Sequence, residues 1–83
     1  MNSVFQIYGK ENCSNCNKIK KLCIENKKTF EYKELDVDFK RPDFEWFWKS
    51  VEPGNRQYPI LRYNGILISY HLFNQVYLGE FLS

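Results

Sequence analysis

Little in this chain marks it as a nucleic-acid or membrane protein. Its 12 Lys and Arg against 10 Asp and Glu leave a net charge of only +2, which makes no case for a polyanionic partner or an anionic lipid surface. No apolar run approaches the length of a membrane span. The opening Met1-Asn2-Ser3-Val4-Phe5-Gln6 lacks the basic region and long apolar stretch of a secretory signal. Repeats, low-complexity tracts and linkers are missing too, so residues 1–83 read as one domain. Cysteine is scarce and odd in number, three in all, with a single His. That argues against a secreted disulfide framework and for a reducing cytoplasm. What the chain does hold is aromatic: seven Phe, six Tyr and two Trp, 18% of its residues. Large rings help so short a chain bury enough apolar area to fold.

Two of the three cysteines stand three residues apart, in Tyr8-Gly9-Lys10-Glu11-Asn12-Cys13-Ser14-Asn15-Cys16. An apolar run precedes this stretch and a Lys-rich helical pattern follows, so Cys13 falls at a strand-to-helix turn. A sulfur there meets unpaired backbone N–H groups and the positive end of the helix dipole. Both favour the thiolate, which is the nucleophile. Cys16, one turn on, is placed to resolve a mixed disulfide at Cys13. A C-x-x-C pair also serves as half of a zinc site or as a static bridge. A zinc site needs a further ligand pair, which Cys23 and His71 do not form. A static bridge across so few residues restricts the unfolded chain little. The surrounding strand and helix favour thiol–disulfide exchange, with no metal.

Residues 3–8 read as a strand buried on both faces, since Val4, Phe5 and Ile7 break simple alternation. Residues 14–27 read as a helix with Cys16, Ile19, Leu22 and Cys23 on one face; Cys23 is then a core thiol. A second strand is expected over 30–37, with Phe30, Tyr32, Leu35 and Val37. A second helix should start near Pro42, carrying the stripe Phe44, Phe47, Trp48 and Val51. Trp46 lies off the stripe, either facing a partner or partly covered. Pro53-Gly54-Asn55 ends this helix. Asn64-Gly65 predicts a two-residue hairpin between strands 57–63 and 66–70. Residues 71–82 should form a last helix packed through Leu72, Phe73, Val76 and Tyr77. The expected class is α/β: a four-stranded mixed sheet flanked by three helices, in the order βαβαββα.

These elements, the C-x-x-C at the first strand–helix junction and the Pro before the hairpin resemble a dithiol glutaredoxin of the thioredoxin superfamily. Tyr8-Gly9-Lys10 with Cys13-x-x-Cys16 is similar to the family's Tyr-Ser-Lys-Pro-x-Cys-Pro-Tyr-Cys. Lys20 falls where the family often has a Lys, and Glu34-Leu35-Asp36-Val37-Asp38 resembles the end of its second strand. Arg56-Gln57-Tyr58-Pro59 stands where the family has Thr-Val-Pro, often after Arg.

The resemblance implies a thioredoxin-like fold and a monomer that uses glutathione as reducing co-substrate. It also implies disulfide-containing protein substrates, among which ribonucleotide reductase is a common family client. Cys13 would be the nucleophile and Cys16 the resolving thiol. The Tyr58–Pro59 bond would be cis, with the Tyr58 backbone free to pair with a bound peptide. Lys10 and Arg56 would meet glutathione carboxylates, and Asn15 replaces a Tyr that flanks the glutathione groove. Ser69-Tyr70 stands where the family has a Gly-Gly-x-Asp-Asp-like turn; without acidic residues, the helix N-terminus there would offer backbone N–H groups to a carboxylate. Two other readings stand beside this one: a thioredoxin-like electron donor reduced by a flavoprotein, and a non-enzymatic iron–sulfur or binding module.

Overall fold

The computed structural model of the chain describes residues 4–83. Ser3, the first residue of the strand expected over 3–8, lies outside them. Strand β1 (Phe5–Gly9) alternates, burying Phe5, Ile7 and Gly9 and half-burying Gln6 and Tyr8. Val4 stands before it and is exposed, so the strand starts later than the apolar run suggests. Helix α1 (Ser14–Glu25) buries Cys16, Ile19 and Cys23 on one face and stops as Lys27 turns to positive φ.

Strand β2 (Phe30–Glu34) is three residues shorter than the expected 30–37. Asp36 takes a φ of 67° and breaks the extension. Asp38 then folds back to accept the Glu34 N–H at 2.8 Å, and Val37 is left 72% exposed. Helix α2 covers residues 41–49, a tight 3-10 turn Arg41–Phe44 running into the α-helix Glu45–Lys49. Pro42 supplies the fixed φ of its first turn, and Asp43 closes it by accepting the Lys40 N–H at 2.8 Å. The stripe of Phe44, Phe47, Trp48 and Val51 packs inward, while Trp46 is 63% exposed.

Strands β3 (Ile60–Tyr63) and β4 (Ile66–Ser69) form the hairpin, and Asn64 and Gly65 both take positive φ. Both strands are shorter than expected: 56–59 is a loop, and Tyr70 already belongs to the next helix. Helix α3 covers residues 70–82, with a π stretch at Phe73–Tyr77 between α-helical ends Tyr70–Leu72 and Leu78–Leu82. The wider π turn changes which residues face inward. Phe73, Tyr77 and Phe81 pack at spacings of four, whereas Leu72 and Val76, expected in the core, are exposed.

The sheet order is β2-β1-β3-β4, with β1 parallel to β2 and both other pairs antiparallel. Alternation along the strands separates two apolar clusters onto its two faces. Phe5, Ile7, Leu61 and Ile68 join α1 and α3 through Ile19, Cys23, Phe73 and Phe81. Tyr8, Ile60 and Leu67 face the other way, toward Phe39, Phe44 and Phe47 of the α2 side. Among the described residues no helix is long and apolar enough to cross a membrane. The architecture thus delivers one sheet end, the start of α1 and the loop before β3 to a common place.

Candidate functional site

At that place Cys13 and Cys16 form a disulfide, their Cα atoms 5.2 Å apart. The geometry begins one residue earlier, where Asn12 takes a φ of 53°, a left-handed conformation that Asn tolerates better than most residues. The chain leaves β1 through this kink, and extended Cys13 becomes the N-cap of α1. Its Sγ accepts the backbone N–H of Cys16 at 3.1 Å. A sulfur in the role that Ser or Asp commonly fills at a helix start sits against free N–H groups and the dipole. Cys16, within the first turn, is fully buried, while Cys13 keeps 8% of its surface. The outer sulfur is the one an incoming thiol or disulfide reaches.

Behind the pair, Gly9 is packed too closely for a side chain. A Cβ there would stand 2.5 Å from Tyr32 Oη and 2.9 Å from Cys16 Sγ. The end of β1 is therefore the floor on which the inner sulfur rests. The Tyr32 ring, paired in register with Ile7, carries Lys20 Nζ 4.1 Å from its centroid, a cation–π contact from the middle of α1.

In front of the pair lies the loop before β3. The Tyr58–Pro59 peptide is cis, and the Tyr58 carbonyl oxygen is 3.8 Å from Cys13 Sγ. Asn15 ties the helix to this loop, its Nδ2 donating to Gln57 Oε1 at 3.3 Å and to the Tyr58 oxygen at 3.4 Å. Lys10 Nζ lies 5.4 Å from the centroid of the Tyr58 ring, which also meets Trp48 at 5.4 Å between centroids. Burial pushes the Tyr58 hydroxyl above its ordinary pKa, and the nearby Arg41 guanidinium partly opposes that rise. Arg56 donates Nε–H to the Val51 oxygen at 2.9 Å, which fixes its guanidinium over the end of α2.

Of the residues singled out in the sequence, Lys10, Cys13, Asn15, Arg56 and Tyr58 line one hollow beside the disulfide, and Cys16 and Pro59 lie buried beneath it. Ser69 and Tyr70 do not line it. Ser69 caps α3, its Oγ accepting the Leu72 N–H at 3.0 Å, and Tyr70 packs against the core on the α1 side. Arg41 and Trp48 carry no functional signal in the linear pattern, yet Arg41 borders the hollow and Trp48 meets the Tyr58 ring edge to face. Cys23 is buried under α1, and burial pushes its thiol up to about 11, with Lys28 pulling weakly against it. It is no competitor for exchange at neutral pH. Among the described residues no group of three or more His, Cys, Asp or Glu side chains could hold a metal ion.

The arrangement can cycle between a disulfide and a dithiol, with one sulfur accessible and the other sealed beneath it. No protein-family model, curated protein or solved structure matches this chain.

Proposed function

We propose that the protein is a glutathione-dependent thiol–disulfide oxidoreductase of the glutaredoxin type, acting in the cytoplasm on protein disulfides or glutathione mixed disulfides. The observation that carries this reading is the Cys13–Cys16 pair at the start of α1, with the outer sulfur facing the Tyr58 carbonyl. The sheet order, with the pair at the end of its first strand, is compatible with a thioredoxin-like fold.

In the reduced protein the Cys13 thiolate attacks one sulfur of a client disulfide. One client thiolate leaves and a mixed disulfide with Cys13 forms. Cys16 gives up its proton and attacks Cys13 Sγ. The second client thiolate leaves, and the two electrons gained by the client are those lost in forming Cys13–Cys16. Two glutathione thiolates in succession return those electrons and depart as glutathione disulfide. Lys10 and Arg56 place positive charge beside the reacting sulfur, suited to the carboxylates of that tripeptide. The loop before β3 lies beside Cys13 Sγ, where an extended client segment would run.

The test follows NADPH consumption on a small mixed disulfide, once with glutathione and glutathione reductase and once with thioredoxin reductase alone. Turnover through glutathione that Cys13→Ser abolishes is the expected result. Turnover only through the flavoprotein makes the chain a thioredoxin-like donor, and silence in both arms rejects oxidoreductase activity.

A further inference from the structure

We propose that the groove leading away from Cys13 is a docking track for an extended protein segment that carries carboxylate side chains near its reacting cysteine. The proposal rests on the thiol–disulfide reading above and names the class of client that the site selects.

Two adjoining hollows make the track. One, of about 410 Å³, opens on Cys13 and Lys10. The other, of about 460 Å³, runs on to Pro42 and Trp48. They share Arg41, Arg56 and Tyr58, so the surface is continuous from the sulfur to α2.

Its charge is one-sided in a chain whose net charge is only +2. Lys10, Arg41 and Arg56 contribute three cations, and none of them has an ion-pair partner among the described residues. Among the described residues Glu45 is the one acid lining the two hollows, its carboxylate 3.9 Å from Lys49 Nζ. Asp36 lies near enough to act on the Tyr58 hydroxyl from beside them. The two arginines approach the track from segments far apart in sequence, at the start of α2 and in the loop before β3. Arg56 is held by its Nε–H bond to the Val51 oxygen, which leaves its terminal N–H groups for a carboxylate. Cations converging on one groove favour an anionic ligand and disfavour a basic one.

The far hollow adds an apolar surface beyond the cations. There the Trp48 and Tyr58 rings meet edge to face at 5.4 Å, next to Pro42. Glutathione offers carboxylates but no apolar side chain to cover these rings. A protein segment with an acidic residue and a neighbouring apolar one meets both demands.

The redox step is unchanged. The client disulfide gains two electrons and is released as two thiols, while the protein dithiol closes to Cys13–Cys16. Only the rate of encounter and attack depends on the track.

The experiment is a single-turnover reaction. Protein reduced with dithiothreitol and then freed of it is mixed with cyclic peptide disulfides that differ only in their flanks, Glu-Leu, Gln-Leu, Lys-Leu or Glu-Ser. The released peptide dithiol is measured by chromatography after acid quench. The Glu-Leu peptide should react about ten-fold faster than Lys-Leu at low salt, and the ratio should shrink at about 0.5 M NaCl. Glu-Ser should be slower than Glu-Leu. Arg41→Glu should bring the acidic-to-basic ratio to one or below, and Arg41→Lys should retain most of it. If Arg41→Glu does not fold, the salt dependence and peptide series of the natural protein decide. Equal rates for Glu-Leu and Lys-Leu overturn the docking track and leave the oxidoreductase standing. Failure to reduce any peptide overturns both.

Discussion

Cys13, Cys16 and Cys23 share one side-chain chemistry and differ in what surrounds them. Cys13 is the accessible helix cap, Cys16 is sealed beneath it, and Cys23 is buried two helical turns further on. Cys13→Ser should therefore abolish exchange. Cys16→Ser should leave Cys13 reactive and trap the client as a stable mixed disulfide, visible by mass spectrometry of the intact protein. Cys23 has a different signature. Below pH about 9 its thiol is neutral in folded and unfolded chains alike. Between pH 9 and about 11 the unfolded chain releases the proton and the folded chain holds it. Stability should thus fall as pH rises through that window, by on the order of 1–3 kcal/mol from this residue. Tyr32 and Tyr58, also shifted upward by burial, act with the same sign. Urea denaturation from pH 8 to 11 should show a shallower decline in Cys23→Ala than in the natural protein. At Gly9 the crowding by Tyr32 and Cys16 predicts that Gly9→Ala destabilises by roughly 1–3 kcal/mol, the usual cost of overfilling a packed site.

Elements set by local chemistry were legible in the sequence. Asn64-Gly65 specifies a hairpin because both turn positions need positive φ, and α1 is bounded by its own apolar stripe and turn residues. Elements shaped by distant contacts were less so. The strand expected over 30–37 looks continuous because Val37 suits a strand, but the left-handed Asp36 and the return of Asp38 end it at Glu34. For 71–82 a period of 3.6 places Phe73 and Tyr77 inward, as found, but also Leu72 and Val76, which are exposed; nothing in Phe73-Asn74-Gln75-Val76-Tyr77 announces a π turn. A helix start at Ser69 suggests a ligand's carboxylate, whereas the Ser69 hydroxyl satisfies the helix itself. Ser69→Ala should cost about 1 kcal/mol in urea denaturation, the usual price of a lost N-cap.

The molecule as a whole is a sheet between two unequal apolar layers, and the larger is knit by Phe5, Phe73 and Phe81, with Phe73 centroids 5.5 and 5.3 Å from the other two. Phe73 is fully buried. Phe73→Ala should lose about 3–5 kcal/mol, a large part of the roughly 5–15 kcal/mol that holds a small domain together. It should show as a fall in the urea midpoint. At this scale the candidate site was half visible beforehand. Its sulfurs lie three residues apart and declare themselves, as does the Pro before the hairpin. Arg41 and Trp48 reach the site only because α2 covers the sheet face opposite α1. No spacing in the chain foretells that meeting.

The outer sulfur, Cys13 Sγ, is the acceptor for the Cys16 N–H at the head of α1. Whatever changes the charge on that sulfur changes how firmly one amide proton is held. In the Cys16→Ser variant, the proton on the backbone nitrogen of residue 16 should exchange with deuterium slowly while Cys13 is a thiolate. Relative to its neighbours it should lose protection once acid neutralises the sulfur. A single amide would then act as a gauge of the sulfur's charge, readable without touching the sulfur at all.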